Sequence, residues 1–244
     1  MIKFFRKIRQ NLLSEGKTGK YFKYAIGEII LVVIGILIAL SINNWNQKRI
    51  NSLSESLLLK EINTEFKFNK KELESTIRTY TLIRNQCNYL RKSFPLVQNE
   101  IDRDSLSRAL RQLRNLGSAD LSMGSISTLI NTSSFEIISN TELRTLLIQW
   151  DDLISDYFER EKQAINYTRH TIIPYLAKRI PQPYIKGLDD DRVDLSFLSS
   201  IEFENLINDR HLDANTLLNI VEHEDDEIRK AINRIIFLSN GSTE

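Results

Sequence analysis

The run Ala25–Ile42, AIGEIILVVIGILIALSI, constrains the chain more than any other feature, because it carries a single charge, Glu28, in an otherwise apolar stretch. Extended back over Tyr21, Phe22 and Tyr24, it reaches the roughly 20 residues of helix that cross a hydrocarbon core of about 30 Å. We therefore read a transmembrane helix over 21–45. A cleaved signal sequence is the competing reading. However, a long basic and polar segment precedes the run, and bulky polar residues, Asn43-Asn44-Trp45-Asn46-Gln47-Lys48-Arg49, follow it where a small-residue cleavage site would be needed. Retention as an anchor follows. Lys20, Tyr21, Lys23, Tyr24 and Trp45 are placed to anchor the two membrane interfaces.

Basic residues set the expected orientation. Lys3, Arg6, Lys7, Arg9, Lys17, Lys20 and Lys23 lie before the span, whereas only Lys48 and Arg49 lie close behind it, so the N-terminus is expected in the cytoplasm and the bulk of the chain outside it. Within residues 1–20, Phe4, Phe5, Ile8, Leu12 and Leu13 recur at helical spacing among the cations, a pattern suited to an anionic bilayer surface. Gly16-Lys17-Thr18 superficially matches a phosphate-binding loop, but the first glycine of that motif would fall at Asn11.

Glu28, Gly35, Ala39 and Asn43 fall close to one helical stripe, with Gly35 and Ala39 forming a small-xxx-small pair. This is the candidate transmembrane assembly face. An ionisable residue within a span is costly and is often retained for a purpose. A simpler account of Glu28 is its closeness to Lys23 and the headgroups, about 7–8 Å of helix rise away. An oligomeric pore lined by Glu28 and Asn43 is a weaker idea, because the rest of the helix is too apolar to line a water-filled lumen.

Past the span, residues 46–95 are expected to continue as a stalk helix. Leu53, Leu57, Ile62, Phe66, Leu73, Ile77, Tyr80, Cys87 and Leu90 keep near-helical spacing, no glycine interrupts them, and Pro95 supplies the stop. The remainder, 96–244, completes an exported domain. Asp102 or Asp104 can cap a short helix carrying Leu106, Leu110 and Leu113, and a second short helix is expected over Ile126–Asn131. From Thr141, a long helix with Leu143, Leu147, Trp150, Ile154 and Tyr157 on its apolar face should kink or end at Pro174. A short helix over Phe197–Ile207 and a final one from Asp213 or Asn215 to about Leu238 complete the chain. The fold class is all-α: an N-terminal amphipathic segment, one transmembrane helix continuing into a stalk, and an antiparallel helical bundle.

Chemistry is hard to find. The chain's net charge of +1 conceals a basic N-terminal segment and a mildly acidic remainder, so no cationic stripe invites nucleic acid. His223-Glu224-Asp225-Asp226-Glu227 places Glu where a zinc-binding helix needs its second histidine, and Asp189-Asp190-Asp191 lacks the glycine of a calcium loop. Asp152, Asp156 and Glu159 share a face with Arg160 and Lys162, as a solvated, salt-bridged surface would. Cys87, the single cysteine, rules out an intrachain disulfide and reads as a buried thiol. No cofactor, metal or catalytic residue is assigned.

Three segments carry a family likeness: Met1-Ile2-Lys3-Phe4-Phe5-Arg6-Lys7-Ile8-Arg9, then Gly19-Lys20-Tyr21-Phe22-Lys23-Tyr24-Ala25-Ile26-Gly27-Glu28, and Asn43-Asn44-Trp45-Asn46. Together they resemble a family of uncharacterised Gram-negative bacterial single-pass membrane proteins. Ser134-Phe135-Glu136-Ile137-Ile138-Ser139-Asn140-Thr141-Glu142-Leu143-Arg144 is similar to that family's central loop-to-helix element. The resemblance implies residence in the bacterial inner membrane with a periplasmic domain, and it implies no activity. The expected function is a membrane-tethered periplasmic scaffold or accessory subunit whose partners are the lipid bilayer and either a second copy or another membrane protein. The alternative is a ligand-sensing domain that signals through a partner.

Overall fold

In a computed structural model, the described residues are 18–96, 101–132, 134–181, 188, 190–222 and 227–240, and among them every regular element is helical. The expected N-terminal amphipathic segment lies almost wholly outside them. Helix α1 spans Thr18–Lys92, with α2 at Arg103–Leu113, α3 at Gly124–Thr132, α4 at Thr141–Tyr167, α5 at Ile173–Ala177, α6 at Ile201–Glu222 and α7 at Glu227–Ser239. The chain divides into two compact units, Met1–Glu55 and Ser56–Glu244.

The described part of the first unit belongs to α1. Its apolar side chains, from Phe22 through Ile42 to Leu53, are exposed, and an 18-residue window reaches a mean hydropathy of 2.8. This is the one helix among the described residues that is long and apolar enough to cross a membrane.

The second unit buries an apolar core of its own. Ile62, Phe66, Leu73, Tyr80, Ile83, Cys87 and Leu90 form the buried stripe of α1, and α4 contributes Leu143, Leu147, Trp150, Ile154 and Tyr157. Helix α4 packs against α6 and α7. At one contact with α1 the rings of Phe66 and Trp150 meet edge to face at 4.9 Å, a favourable arrangement for their quadrupoles. A second aromatic group gathers Phe94, Tyr175, Phe197 and Phe203, with Tyr175 stacked on Phe203. Three helix ends are satisfied by side chains. Asp102 accepts from the Ser105 amide at 2.8 Å and Asn140 from Leu143 at 2.9 Å, while Asn63 donates to the Ile236 carbonyl in the last turn of α7.

Three expectations shift. Helix α1 ends at Lys92, three residues short of Pro95. Of the two outcomes expected at Pro174, a kink or an end, the helical run does not end there. A π-helical turn over Thr168–Ile172 joins α4 to α5, and a wider turn accommodates a residue that has no N–H to offer the carbonyl four positions back. The third change is larger. Asp213 and Asn215 do not start the last helix but lie inside α6, which runs from Ile201 to Glu222 after a 3-10 turn at Ser196–Ser199. The last described helix, α7, begins at Glu227. The apolar stripe of α6, Phe203, Leu206, Ile207, Ala214, Leu217, Leu218 and Val221, is continuous only when Arg210 is counted as one of its buried members.

Candidate functional site

Glu28, Gly35, Ala39 and Asn43 all lie on α1, and at about 100° per residue they fall within an arc of about 80°. The stripe is therefore a real helical face. A Cβ added at Gly35 would meet nothing within 4 Å, so the described residues give this glycine no steric reason to be small. Lys23, Tyr24 and Trp45 are exposed near the two ends of the apolar run, and the helical rise from Tyr24 to Trp45 is about 30 Å. Lys20 and Tyr21 belong to the same helix, but their side chains lie outside the described ones.

The second unit holds a buried polar network that sequence reasoning missed. It surrounds the connection between α2 and α3. Glu161, only 5% exposed, accepts hydrogen bonds from the Ala119 amide at 2.7 Å, the Tyr157 hydroxyl at 2.8 Å and the Ser118 hydroxyl at 2.9 Å. Arg210, fully buried, donates to the Asn115 carbonyl at 2.7 Å, and its guanidinium lies 5.8 Å from the centre of the Tyr80 ring. The Tyr80 hydroxyl donates to the Gly117 carbonyl at 3.1 Å. A Cβ at Gly117 would stand 2.7 Å from Tyr80 Cε2, so only glycine allows the loop to approach this closely. Farther along, Asn69 pairs with both the amide and the carbonyl of Ser122, and Glu65 accepts from the Ser125 amide at 2.7 Å in the first turn of α3.

Burial governs the electrostatics of this region. It pushes the Tyr80 hydroxyl up to about 12, with Arg210 pulling the other way, and raises Tyr157 further, with Glu161 adding to the effect. The Cys87 thiol, completely buried, is also pushed up to about 12, which leaves it protonated and a poor nucleophile at neutral pH. Desolvation lowers the affinity of Arg210 for its proton. The network's acceptors are used inward. Glu161 has three donors and the two tyrosine hydroxyls are engaged, so the arrangement fixes a loop and presents no activated nucleophile.

Of the motifs set aside on sequence, Asp156 lies 3.9 Å from Arg160, and Asp190 accepts from both the backbone and the guanidinium of Arg192. His223-Glu224-Asp225-Asp226 lies outside the described residues. Among the described residues, no three His, Cys, Asp or Glu side chains converge to hold a metal ion. Two concavities border the network's elements. One is an open groove of about 880 Å³ beside α1 and α3, with Leu57 and Phe68 exposed along it. The other, smaller and more polar, lies between α1 and α2. The sequence did carry one signal for the buried charges. Trp150, Ile154, Tyr157, Glu161, Ala164 and Thr168 recur at steps of four and three, so Glu161 occupies a core position of an otherwise regular stripe.

The model of a family of unknown function, DUF6090, matches residues 28–146, a span that runs from Glu28 through α2 and α3 into the first turns of α4. No curated protein and no solved structure matches the chain.

Proposed function

We propose that the protein is a membrane-anchored helical scaffold or accessory subunit, acting through protein–protein contacts without catalysis. It sits in a bacterial inner membrane with its N-terminus in the cytoplasm and an antiparallel helical bundle in the periplasm. One observation carries this reading: a Cβ placed on Gly35 would have no neighbour within 4 Å, yet the glycine lies on one face with Glu28, Ala39 and Asn43. A glycine that meets no other described part of its own chain, on a stripe with one further small residue and two polar ones, suits close approach by a second transmembrane helix. There, small residues and polar groups supply the packing. The exposed Ile50, Leu53 and Leu57, beyond the apolar run, extend the same logic into water.

The test is the mass of the full-length protein, extracted in mild detergent, with whatever copurifies. A discrete oligomer or a defined second protein is expected. Gly35→Leu and Glu28→Leu should each shift it towards monomer by about 1–2 kcal/mol of association, the scale of interhelical contacts in membranes. A monomer unaffected by both substitutions overturns the pairing. A ligand-sensing domain working through a partner is the second reading, and the polar cleft between α1 and α2 favours it.

A further inference from the structure

We propose that this cleft, lined by Leu82, Gln86, Arg108, Arg111, Gln112 and Asn115, binds a small oxyanion, a phosphate or carboxylate carried on a hydroxylated body. Its volume of about 310 Å³ lies at the lower end of ligand-sized pockets.

The cations decide the charge of the ligand. Arg108 and Arg111 stand one turn apart on α2, and among the described residues no carboxylate lines the cleft. Arg108 donates to the Ser105 hydroxyl at 2.8 Å, and Arg111 makes a long bond of 3.4 Å to the Ser107 carbonyl. Each guanidinium has five N–H donors, so most remain for a ligand. Elsewhere the exposed guanidiniums of Arg160, Arg192 and Arg234 each stand within 3.9 Å of a carboxylate. Arg108 has a carboxylate neighbour in Asp102, but that group is committed to capping α2. It is held below the usual carboxylate range chiefly by hydrogen bonds from Ser105 and to a lesser degree by Arg108.

A third cation backs the site. Buried Arg210 holds the carbonyl of Asn115 from within, and a charge in that low-dielectric position is weakly screened. Cations in the last turn of a helix also answer its dipole, which accounts for Arg111 but not for Arg108 in the middle of α2. Gln86, Gln112 and Asn115 add carboxamides that both donate and accept, as hydroxyl groups require, and the half-exposed Leu82 offers an apolar wall.

The inference does not depend on pairing through the span. It is tested by titration calorimetry of the full-length protein in detergent with glucose 6-phosphate, glucuronate and uncharged glucose. The two anions should bind saturably and glucose should not. The double variant Arg108→Gln/Arg111→Gln should lose about tenfold or more in affinity while keeping its melting curve, because neither side chain is part of the buried core. No saturable anion binding, equal binding of glucose, or an unchanged affinity in the variant overturns the site. Glycerophosphoglycerol, a lipid headgroup without its chains, separates two sources of the same chemistry. Stronger competition by it than by glucose 6-phosphate assigns the oxyanion to a lipid, and weaker competition assigns it to a soluble metabolite.

Discussion

Helix α1 passes through two chemical regimes without a break. Before Glu55, its isoleucines, leucines and valines stand in the open, with Val33 47% and Leu37 57% exposed. After Ser56, Ile62, Phe66, Ile83 and Leu90 are completely buried. The same residue types serve both stretches, as a nearly continuous run in the first and at helical spacing in the second. Apolar residues therefore state that a surface will be covered, but not by what. In the second unit the cover comes from the chain's own helices. In the first, none of the described residues supplies it, and the helix is long and apolar enough to cross a membrane.

Matched substitutions sharpen this contrast. Trp150→Ala should destabilise the second unit by about 3–5 kcal/mol in chemical denaturation, as loss of a large aromatic from a packed core does. Leu37→Ala in the first unit should leave that transition where it was, and a comparable loss there would break the comparison. Next in size is Glu161→Ala. It strands the Ala119 amide and the Tyr157 hydroxyl, at about 2–4 kcal/mol in the same measurement, since each buried polar group left unpaired costs about 1–3 kcal/mol. Gly117→Ala forces a methyl group against Tyr80 and should cost about 1–3 kcal/mol, whereas Gly35→Ala should cost the second unit nothing.

A separate effect is alkaline and sets in only above pH 9. Tyr80 and Cys87 titrate at about 12 when folded, against 10.0 and 9.0 when exposed, so above pH 9 the unfolded chain loses protons that the folded one keeps. The stability linked to these groups is fully present below pH 9 and drains away as the pH rises towards 12. Thermal melts across that range should fall, and Cys87→Ala should delay the onset.

How much of this was legible depended on whether a residue type told the truth about its position. The apolar stripes of α1 and α4 could be read because Leu, Ile, Phe and Trp occupy their buried positions. The cap at Asp102 followed from its residue chemistry. Asp213 misled, because an aspartate in mid-helix looks like a helix start, and the buried Arg210 hid the continuity of the apolar stripe before it. Asp213 is partly buried, and desolvation raises its pKa, with Arg210 opposing the shift. Glu161 was hidden for the same reason. Its three donors come from a neighbouring helical turn and from a loop more than 40 residues away, a convergence that exists only after folding. Glu28, Gly35, Ala39 and Asn43 were legible as one face of α1 because a continuous helix was legible there.

The single thiol of Cys87 has a practical consequence. It faces inward from α1 with no exposed surface, and it is the chain's only cysteine. A maleimide dye added to intact membranes would therefore remain dark while the second unit is closed and would react only as that unit opens. The rate of labelling becomes a clock for opening events, and it is blind to anything that happens in the span.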